Sequence, residues 1–145
     1  MEQLEQITRM LGGARILGKR PDSDRDFVEI VREGLPFSSF QSAVRSLGMT
    51  EEEAREALGF PRRTLSRRKL EQGRLRAAES ERVLRLARVG TRAIDVLGDA
   101  NRAVRWLRAP NRGLGGEAPL ELLDTDVGTQ GVLDELTRLD HGVFS

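Results

Sequence analysis

A run of arginine and hydroxyl side chains near the middle of the chain has the chemistry to bind nucleic acid. Guanidinium groups donate paired hydrogen bonds to a guanine edge or a phosphate, and short hydroxyls fit between them in a major groove. The sequence therefore predicts a DNA-binding surface formed by outward-facing polar residues. These residues are Arg62, Arg63, Thr64, Ser66, Arg67, Arg68 and Lys69.

The residues before this run predict a short helix that would help to position it. Thr50 is followed three residues later by Glu53, a pattern typical of a capping box, so a helix is expected to begin at Glu51. Gly59 can adopt the left-handed backbone conformation that ends a helix and turns the chain sharply.

A second helix is expected to follow almost at once and to carry the polar run. Pro61 suits its first turn, and Leu65 and Leu70 are expected to point inward. Two short helices joined by a glycine turn are typical of a helix-turn-helix. One position departs from the usual template, since Arg55 stands where a small residue is normal. A solvated structural hairpin is the alternative interpretation.

The basic charge of the chain is confined to the same region. Residues 60–92 contain eleven Arg and Lys against three Asp and Glu, a net charge of +8. Residues 1–59 have eight against eleven, and residues 93–145 have five against nine, so both flanks are acidic. A concentrated basic patch between acidic surfaces suits a duplex phosphate backbone better than a membrane.

The composition argues against an enzyme. The chain has no Cys, no Tyr and one His, and Asp140 beside His141 is adjacency in sequence alone. No catalytic residue, metal ligand or cofactor is predicted. The absence of cysteine, of a signal peptide and of a long apolar run predicts a cytoplasmic protein that does not contact a membrane.

Apolar residues at three- and four-residue steps predict helices along most of the chain, and hence an all-α fold. The glycine cluster at residues 113–116 lacks the features of a phosphate loop and is interpreted as a turn. The expected N-caps of the other helices are Asp24, Ser38 or Ser39, Asp99, and Asp124 or Thr125.

The longest predicted helix runs from about residue 77 to residue 97 and carries several arginines. We expect most of them to form a solvated face, while Arg76 and Arg82 lie close enough in sequence to assist phosphate contacts. The arginines expected on that face are Arg82, Arg85, Arg88 and Arg92.

Three stretches resemble a known family: LGFPRRTLSRRK at residues 58–69, AVRWLRAPNRGLGGEAPLELLDTDVG at residues 103–128, and HGVFS at residues 141–145. They resemble the Xre/MbcA/ParS antitoxins of bacterial type II toxin–antitoxin modules, which join an Xre-like helix-turn-helix to a C-terminal toxin-binding domain. The second stretch is the more specific, because any helix-turn-helix could supply the first.

The resemblance covers roughly residues 37–145, and it implies a helix-turn-helix DNA-binding domain at residues 37–76 and a small helical toxin-binding domain at residues 77–145. Residues 1–36 lie outside it and are expected to form an N-terminal helical extension. The resemblance also implies a partner, an NAD-consuming toxin of the RES type or an ADP-ribosylating relative, whose NAD pocket the chain would block. The implied toxin-binding residues are Trp106, Asn111, Asp140, His141, Val143, Phe144 and Ser145.

The resemblance further implies that the chain represses its own operon as a complex with the toxin. A homodimer is expected, because one short recognition helix specifies few base pairs and symmetric half-sites double the contact. Two alternatives stay open at this point. They are a plain transcriptional repressor, and a partner-binding adaptor whose helix-turn-helix does not bind DNA.

Overall fold

The computed structural model describes residues 2–142, and within them the fold is all-α, as predicted. None of these helices has the length and apolar character that crossing a membrane would require. Two 3₁₀ turns, Arg112–Leu114 and Pro119–Leu122, join the last two α-helices. The α-helices are α1 (Glu2–Met10), α2 (Ala14–Leu17), α3 (Asp24–Glu33), α4 (Phe37–Leu47), α5 (Glu51–Leu58), α6 (Arg62–Glu71), α7 (Ala77–Leu97), α8 (Ala100–Arg108) and α9 (Asp126–Asp140).

Helix α7 is the longest helix and the centre of the packing. Helices α1, α3, α4, α5, α8 and α9 all pack against it. A helix that is surrounded by neighbours must be apolar around most of its circumference. Apolar residues are accordingly buried on several sides of α7. The fully buried ones are Val83, Leu86, Ala87, Val89 and Ala93.

Several helix starts lie where the capping residues predict them. Thr50 accepts a hydrogen bond from the Glu53 amide at 3.0 Å, Asp99 accepts one from the Arg102 amide at 2.8 Å, and Thr125 caps α9. Ser23, one residue before the expected Asp24, is the N-cap of α3. Its hydroxyl accepts from the Asp26 amide, which leaves Asp24 as the first residue of the helix.

The start of α4 corrects the sequence prediction. Neither Ser38 nor Ser39 is the cap, because the helix already begins at Phe37 and its N-cap is Pro36. Phe37 is buried and its ring centroid lies 5.7 Å from that of Phe40, so core packing draws the helix one turn further back. Ser39 is consequently buried inside the helix.

Two glycines of α9 provide a matched test of how closely this helix packs. A Cβ atom at Gly128 would overlap the carbonyl oxygen of Leu122, whereas one at Gly131 would have Leu114 Cδ2 at 4.0 Å as its nearest neighbour. We expect Gly128→Ala to lower the free energy of unfolding by about 2 kcal/mol through overpacking. Gly131→Ala should raise it by about 0.5–1 kcal/mol through helix propensity. Urea unfolding measures both, and shifts of the same sign would contradict this packing.

Candidate functional site

Arg55, which departs from the helix-turn-helix template in the sequence, stabilises the turn between α5 and α6. Arg55 donates a hydrogen bond to the carbonyl oxygen of Phe60 at 2.6 Å and two more to the Glu52 carboxylate at 2.9 and 2.7 Å. Its side chain therefore crosses the turn and satisfies a carbonyl beyond the helix end. Ala54 beside it is fully buried and supplies the small side chain of the template.

A second arginine secures the same turn from α7. Arg82 donates to the carbonyl oxygens of Leu58 at 3.3 Å and Gly59 at 3.2 Å, and its guanidinium lies 5.8 Å from the ring centroid of Phe60. Arg82 is half-buried, so it is not part of a fully solvated face. These bonds give it a role in holding the turn.

The orientation of α6 differs from the predicted one at two positions. Leu70 is 87% exposed and Arg68 is only 8% exposed, so the leucine faces out and the arginine faces in. Leu65 and Leu70 are five residues apart, which places them about 140° apart around a helix of 3.6 residues per turn. They cannot share a buried face, whereas Leu65 and Arg68 can.

The buried Arg68 ties the recognition helix to the start of α7. Its Nε atom donates to Glu79 Oε1 at 3.0 Å, and its NH1 group reaches Glu71 Oε2 at 3.4 Å. Glu79 also accepts a hydrogen bond from the Arg76 amide at 2.8 Å. Burial raises the pKa of Glu79. The hydrogen bonds and charges of Arg68 and Arg76 together lower this pKa by more than burial raises it, so the pKa lies below its ordinary value.

We expect the Arg68–Glu79 pair to make stability depend on pH in a defined direction. The folded pKa of Glu79 is lowered, so the stabilisation is complete above the ordinary glutamate pKa of 4.5 and is lost as the pH falls below it. Glu79→Gln should therefore lower the free energy of unfolding by about 2 kcal/mol at pH 7 and by less near pH 3.

Urea unfolding of both proteins across this pH range measures the effect. Glu71→Gln is the matched control, because Glu71 is exposed and its contact with Arg68 should contribute about 0.5 kcal/mol or less. A difference between the parent and E79Q that does not change with pH would contradict the pairing.

The outward side of α6 presents only part of the predicted cationic set. Arg62 forms an ion pair with Glu52 at 3.1 Å, and Lys69 forms one with Glu51 at 3.3 Å. Thr64 is half-buried, and Ser66 is exposed. Arg63 and Arg67 are exposed, and neither has an ion-pair partner within residues 2–142.

Arg63 and Arg67 are therefore the cations of α6 most available to a ligand. They are four residues apart, so their side chains lie on one side of the helix, about 5–6 Å apart at their Cβ atoms. Such a pair can span neighbouring phosphates or meet the edge of a guanine.

Other arginines of the predicted basic face connect elements. Arg85 is buried, donates to the carbonyl oxygen of Leu123 at 2.8 Å, and pairs with Glu81. Arg92 bonds Asp95 and Asp140. Arg85 and Arg92 therefore do not lie on the solvated face that was predicted, and Arg88 alone of the four is exposed in the described part of the chain.

A pair that sequence reasoning missed joins the helix-turn-helix to α8. Arg108 donates two hydrogen bonds to the Glu53 carboxylate, at 2.6 and 2.8 Å. The hydrogen bond from Arg108 is the largest cause that lowers the pKa of Glu53 below its ordinary value. The partners are 55 residues apart, and no sequence spacing signals such a contact.

Two of the residues implied to bind a partner lie around α8 and the glycine turn. Trp106 is half-buried and packs against the core. The Asn111 side chain accepts a hydrogen bond from the Gly113 amide at 2.8 Å, and its backbone amide donates to the carbonyl oxygen of Glu117 at 3.0 Å. Asn111 thereby organises the turn that was predicted from the glycine cluster.

The underside of that turn rests on a buried carboxylate. Glu135 is 3% exposed and accepts a hydrogen bond from Arg138 at 3.2 Å. A Cβ atom at Gly113 would overlap its Oε2 atom, so glycine is what allows the turn to lie directly on α9. In the sequence, the glycine cluster indicated a turn, but nothing indicated that Gly113 would lie against Glu135.

The remaining implied partner-binding residues lie at the end of α9. Asp140 accepts a hydrogen bond from Arg92 at 3.0 Å, which fixes the end of α9 against α7. His141 is exposed and follows the helix. Val143, Phe144 and Ser145 lie outside the described residues.

The described residues contain no cluster of three or more His, Asp or Glu side chains that could hold a metal ion. The arrangement offers protein and nucleic-acid contacts instead. These are the exposed arginine pair of α6, and the surface of α8, the glycine turn and the end of α9.

Comparison with known proteins identifies both halves. The antitoxin Xre-like helix-turn-helix domain matches residues 26–88, and the antitoxin Xre/MbcA/ParS C-terminal toxin-binding domain matches residues 92–142. An antitoxin Xre of Yersinia enterocolitica is 37% identical over 119 residues, which cover 81% of this chain and 80% of the relative. The chain belongs to the Xre/MbcA/ParS family of antitoxins.

Two further similarities place the antitoxin within the family. The Prs ADP-ribosylating antitoxin of Sphingobium sp. is 26% identical over 129 residues, or 83% of this chain and 81% of the relative. In the Mycobacterium tuberculosis MbcT–MbcA toxin–antitoxin complex, a chain with 28% identity superposes with a TM-score of 0.59. That match covers 75% of the antitoxin and 96% of the other chain.

Membership of this family answers two earlier questions, whether the chain is an enzyme and whether it is only a transcriptional repressor. Antitoxins bind toxins and are not enzymes, which confirms the prediction of a non-enzymatic protein. A toxin-binding domain also means that a plain transcriptional repressor is not the whole function of the antitoxin. Helix α6 lies in the first matched domain, and α8, the glycine turn and α9 lie in the second.

Proposed function

We propose that the antitoxin neutralises an NAD-consuming toxin by occluding its nucleotide pocket, and that it represses its own operon through α6 as a homodimer. The observation that carries the proposal is that α7 holds two different elements at two different positions. Glu79 near its beginning holds the recognition helix, and Arg92 nearer its end holds the last residue of α9.

The DNA-binding half of the proposal is supported by the outward side of α6. Arg63 and Arg67 are exposed there with Ser66 between them, while Arg68 holds the helix from the inside. Few cations of α6 remain free, so one copy would bind a duplex weakly. Two copies on symmetric half-sites would double the contacts, which supports a homodimer.

The toxin-binding half is supported by the relatives and by the chemistry of residues 140–145. One relative is named a Prs ADP-ribosylating antitoxin, and ADP-ribosylation consumes NAD as the donor. The segment combines a carboxylate, an imidazole, a glycine and two apolar side chains, a set that can fill a concave nucleotide pocket. The Arg92–Asp140 bond would fix the point from which this segment reaches the toxin.

The point of α7 that holds α6 and the point that holds the end of α9 lie apart along the helix. Twelve residues of α7 lie between Glu79 and Arg92, so the two are about 20 Å apart along the helix axis. The antitoxin could therefore hold the toxin and the operator at the same time. Repression by the complex would require such simultaneous binding.

One observation favours the alternative of an adaptor that does not bind DNA. Arg62 and Lys69 are paired with acidic residues of α5, and Arg68 is buried, so three of the predicted DNA contacts are engaged within the protein. An adaptor would show no salt-dependent affinity for the promoter of its operon. A repressor would lose affinity steeply as salt rises, because each phosphate contact releases counterions.

A reconstitution with the toxin from the adjacent reading frame tests the proposal. The antitoxin is added to the purified toxin while NAD consumption is followed, and the complex is then mixed with the upstream promoter fragment. We expect NAD consumption to stop near equal stoichiometry and the fragment to be retarded. A toxin that remains active, or a fragment that is not bound, would refute the corresponding half.

A further inference from the structure

The side of α6 that faces solvent has an aliphatic residue near its C-terminal end. Leu70 is 87% exposed and lies on the side of the helix opposite the buried Arg68. At 100° per residue, Ser66 and Arg63 share its side one and two turns earlier, and Arg67 lies about 60° away. Helix packing within residues 2–142 gives this leucine no role.

The surrounding charge indicates which partner this side accepts. Leu70 is flanked by Arg63 and Arg67, which have no ion-pair partner among the described residues. A second copy of the chain docking through the same side would bring four guanidinium groups together, which electrostatic repulsion opposes. A duplex supplies phosphates to both arginines and apolar surface within its major groove.

We propose that Leu70 contacts the C5-methyl group of a thymine in the major groove of the operator, and is a specificity-determining residue for DNA binding. The proposal rests on the proposed repressor function of α6. The thymine methyl is the apolar group that bases present in that groove, and it distinguishes thymine from cytosine. An exposed leucine among arginines matches a groove site of that chemistry.

The spacing along α6 predicts where this thymine lies. Arg63 and Leu70 are seven residues apart, which is about 10 Å along the helix. That distance corresponds to about three base-pair steps of B-DNA. We therefore expect the thymine about three base pairs from the position that Arg63 contacts, once in each half-site.

Replacement of thymine by deoxyuridine removes the methyl group and leaves base pairing with adenine unchanged. The upstream promoter fragment is prepared with single thymines replaced in turn, and its affinity is measured for the full-length antitoxin and for Leu70→Ala. At one thymine per half-site, uracil should lower the affinity of the parent protein about fourfold. It should not change the affinity of Leu70→Ala at that position.

Val127→Ala is the matched control, because Val127 is a similarly exposed aliphatic residue, at 84%, on a different helix, α9. It should retain the parent response to every uracil. If every uracil affects the parent and Leu70→Ala equally, Leu70 does not contact a thymine methyl. If Leu70→Ala instead weakens dimerisation in sedimentation experiments and leaves the uracil responses intact, the residue belongs to a contact between copies.

The proposed repressor function fails in a different way. The parent protein would then show no salt-dependent affinity for the unmodified promoter fragment, and the inference about Leu70 would fall with it. A parent protein that binds the promoter and does not discriminate uracil overturns the inference alone.

Discussion

Replacing Arg63 and Arg67 together by alanine is expected to lower the affinity of the antitoxin for its promoter by about a hundredfold or more. Each lost contact to a base edge costs about 1–3 kcal/mol, and the two arginines are the free cations on the outward side of α6 in the described part of the chain. Fluorescence anisotropy with the upstream promoter fragment measures the loss.

The salt dependence of the same binding adds a second readout. The slope of log affinity against log salt should become shallower by about one for each lost phosphate contact. Arg62→Ala with Lys69→Ala is the matched control, because these two cations are paired with Glu52 and Glu51. We expect a smaller loss for that control. Equal affinities for the parent and the Arg63/Arg67 variant would refute DNA binding through this side of α6.

Removing residues 143–145 is expected to abolish most of the neutralisation of the toxin while the fold is retained. Full burial of Val143 and Phe144 in a pocket would contribute about 1.5–3 kcal/mol each. Their loss should raise the antitoxin concentration needed for half-inhibition by about 10²-fold to 10⁴-fold. Titration of toxin-catalysed NAD consumption with both proteins measures this change.

The structure sharpens where this truncation should be made. Asp140 is bonded to Arg92 at 3.0 Å, so a truncation before it would also loosen α9. Truncation after Gly142 keeps that bond, and promoter binding by the truncated chain serves as the control for folding. Undiminished neutralisation by the truncated chain would show that residues 143–145 do not fill the toxin pocket.

The boundaries of several helices could be predicted from the sequence, because the residues that set them are close together in the chain. Thr50 and Gly59 flank the 8 residues of α5, and Asp99 and Thr125 cap their helices by bonding amides three residues away. Such bonds are encoded by spacing alone. The family stretches at residues 58–69 and 103–128 likewise predicted both halves of the antitoxin.

The orientation of α6 was mispredicted because apolar character was given more weight than helical geometry. Leu65 and Leu70 cannot face the same way, and a guanidinium can be buried when a carboxylate such as that of Glu79 meets it. The sequence alone places Leu65 and Leu70 about 140° apart around the helix, so it already indicates that Leu70 lies on the surface when Leu65 is buried. The partner of Arg68 is visible only in the structure.

The roles of the arginines outside α6 could not be predicted for a related reason. Arg82, Arg85 and Arg108 bind groups that lie 24, 38 and 55 residues away in the chain. A charge run in a sequence gives no information about which members meet a carbonyl or carboxylate after folding. Arg85 and Arg108 join the two matched halves of the antitoxin, whereas Arg82 and Arg92 each hold elements together within one half.

The most direct test of the two separate surfaces is the binding of the purified toxin–antitoxin complex to the upstream promoter fragment over a series of salt concentrations. NAD consumption is followed in the same solutions. Two independent surfaces predict strongly salt-dependent binding of the fragment while NAD consumption stays suppressed. Release of active toxin when the fragment binds, or no salt-dependent binding at all, would contradict them.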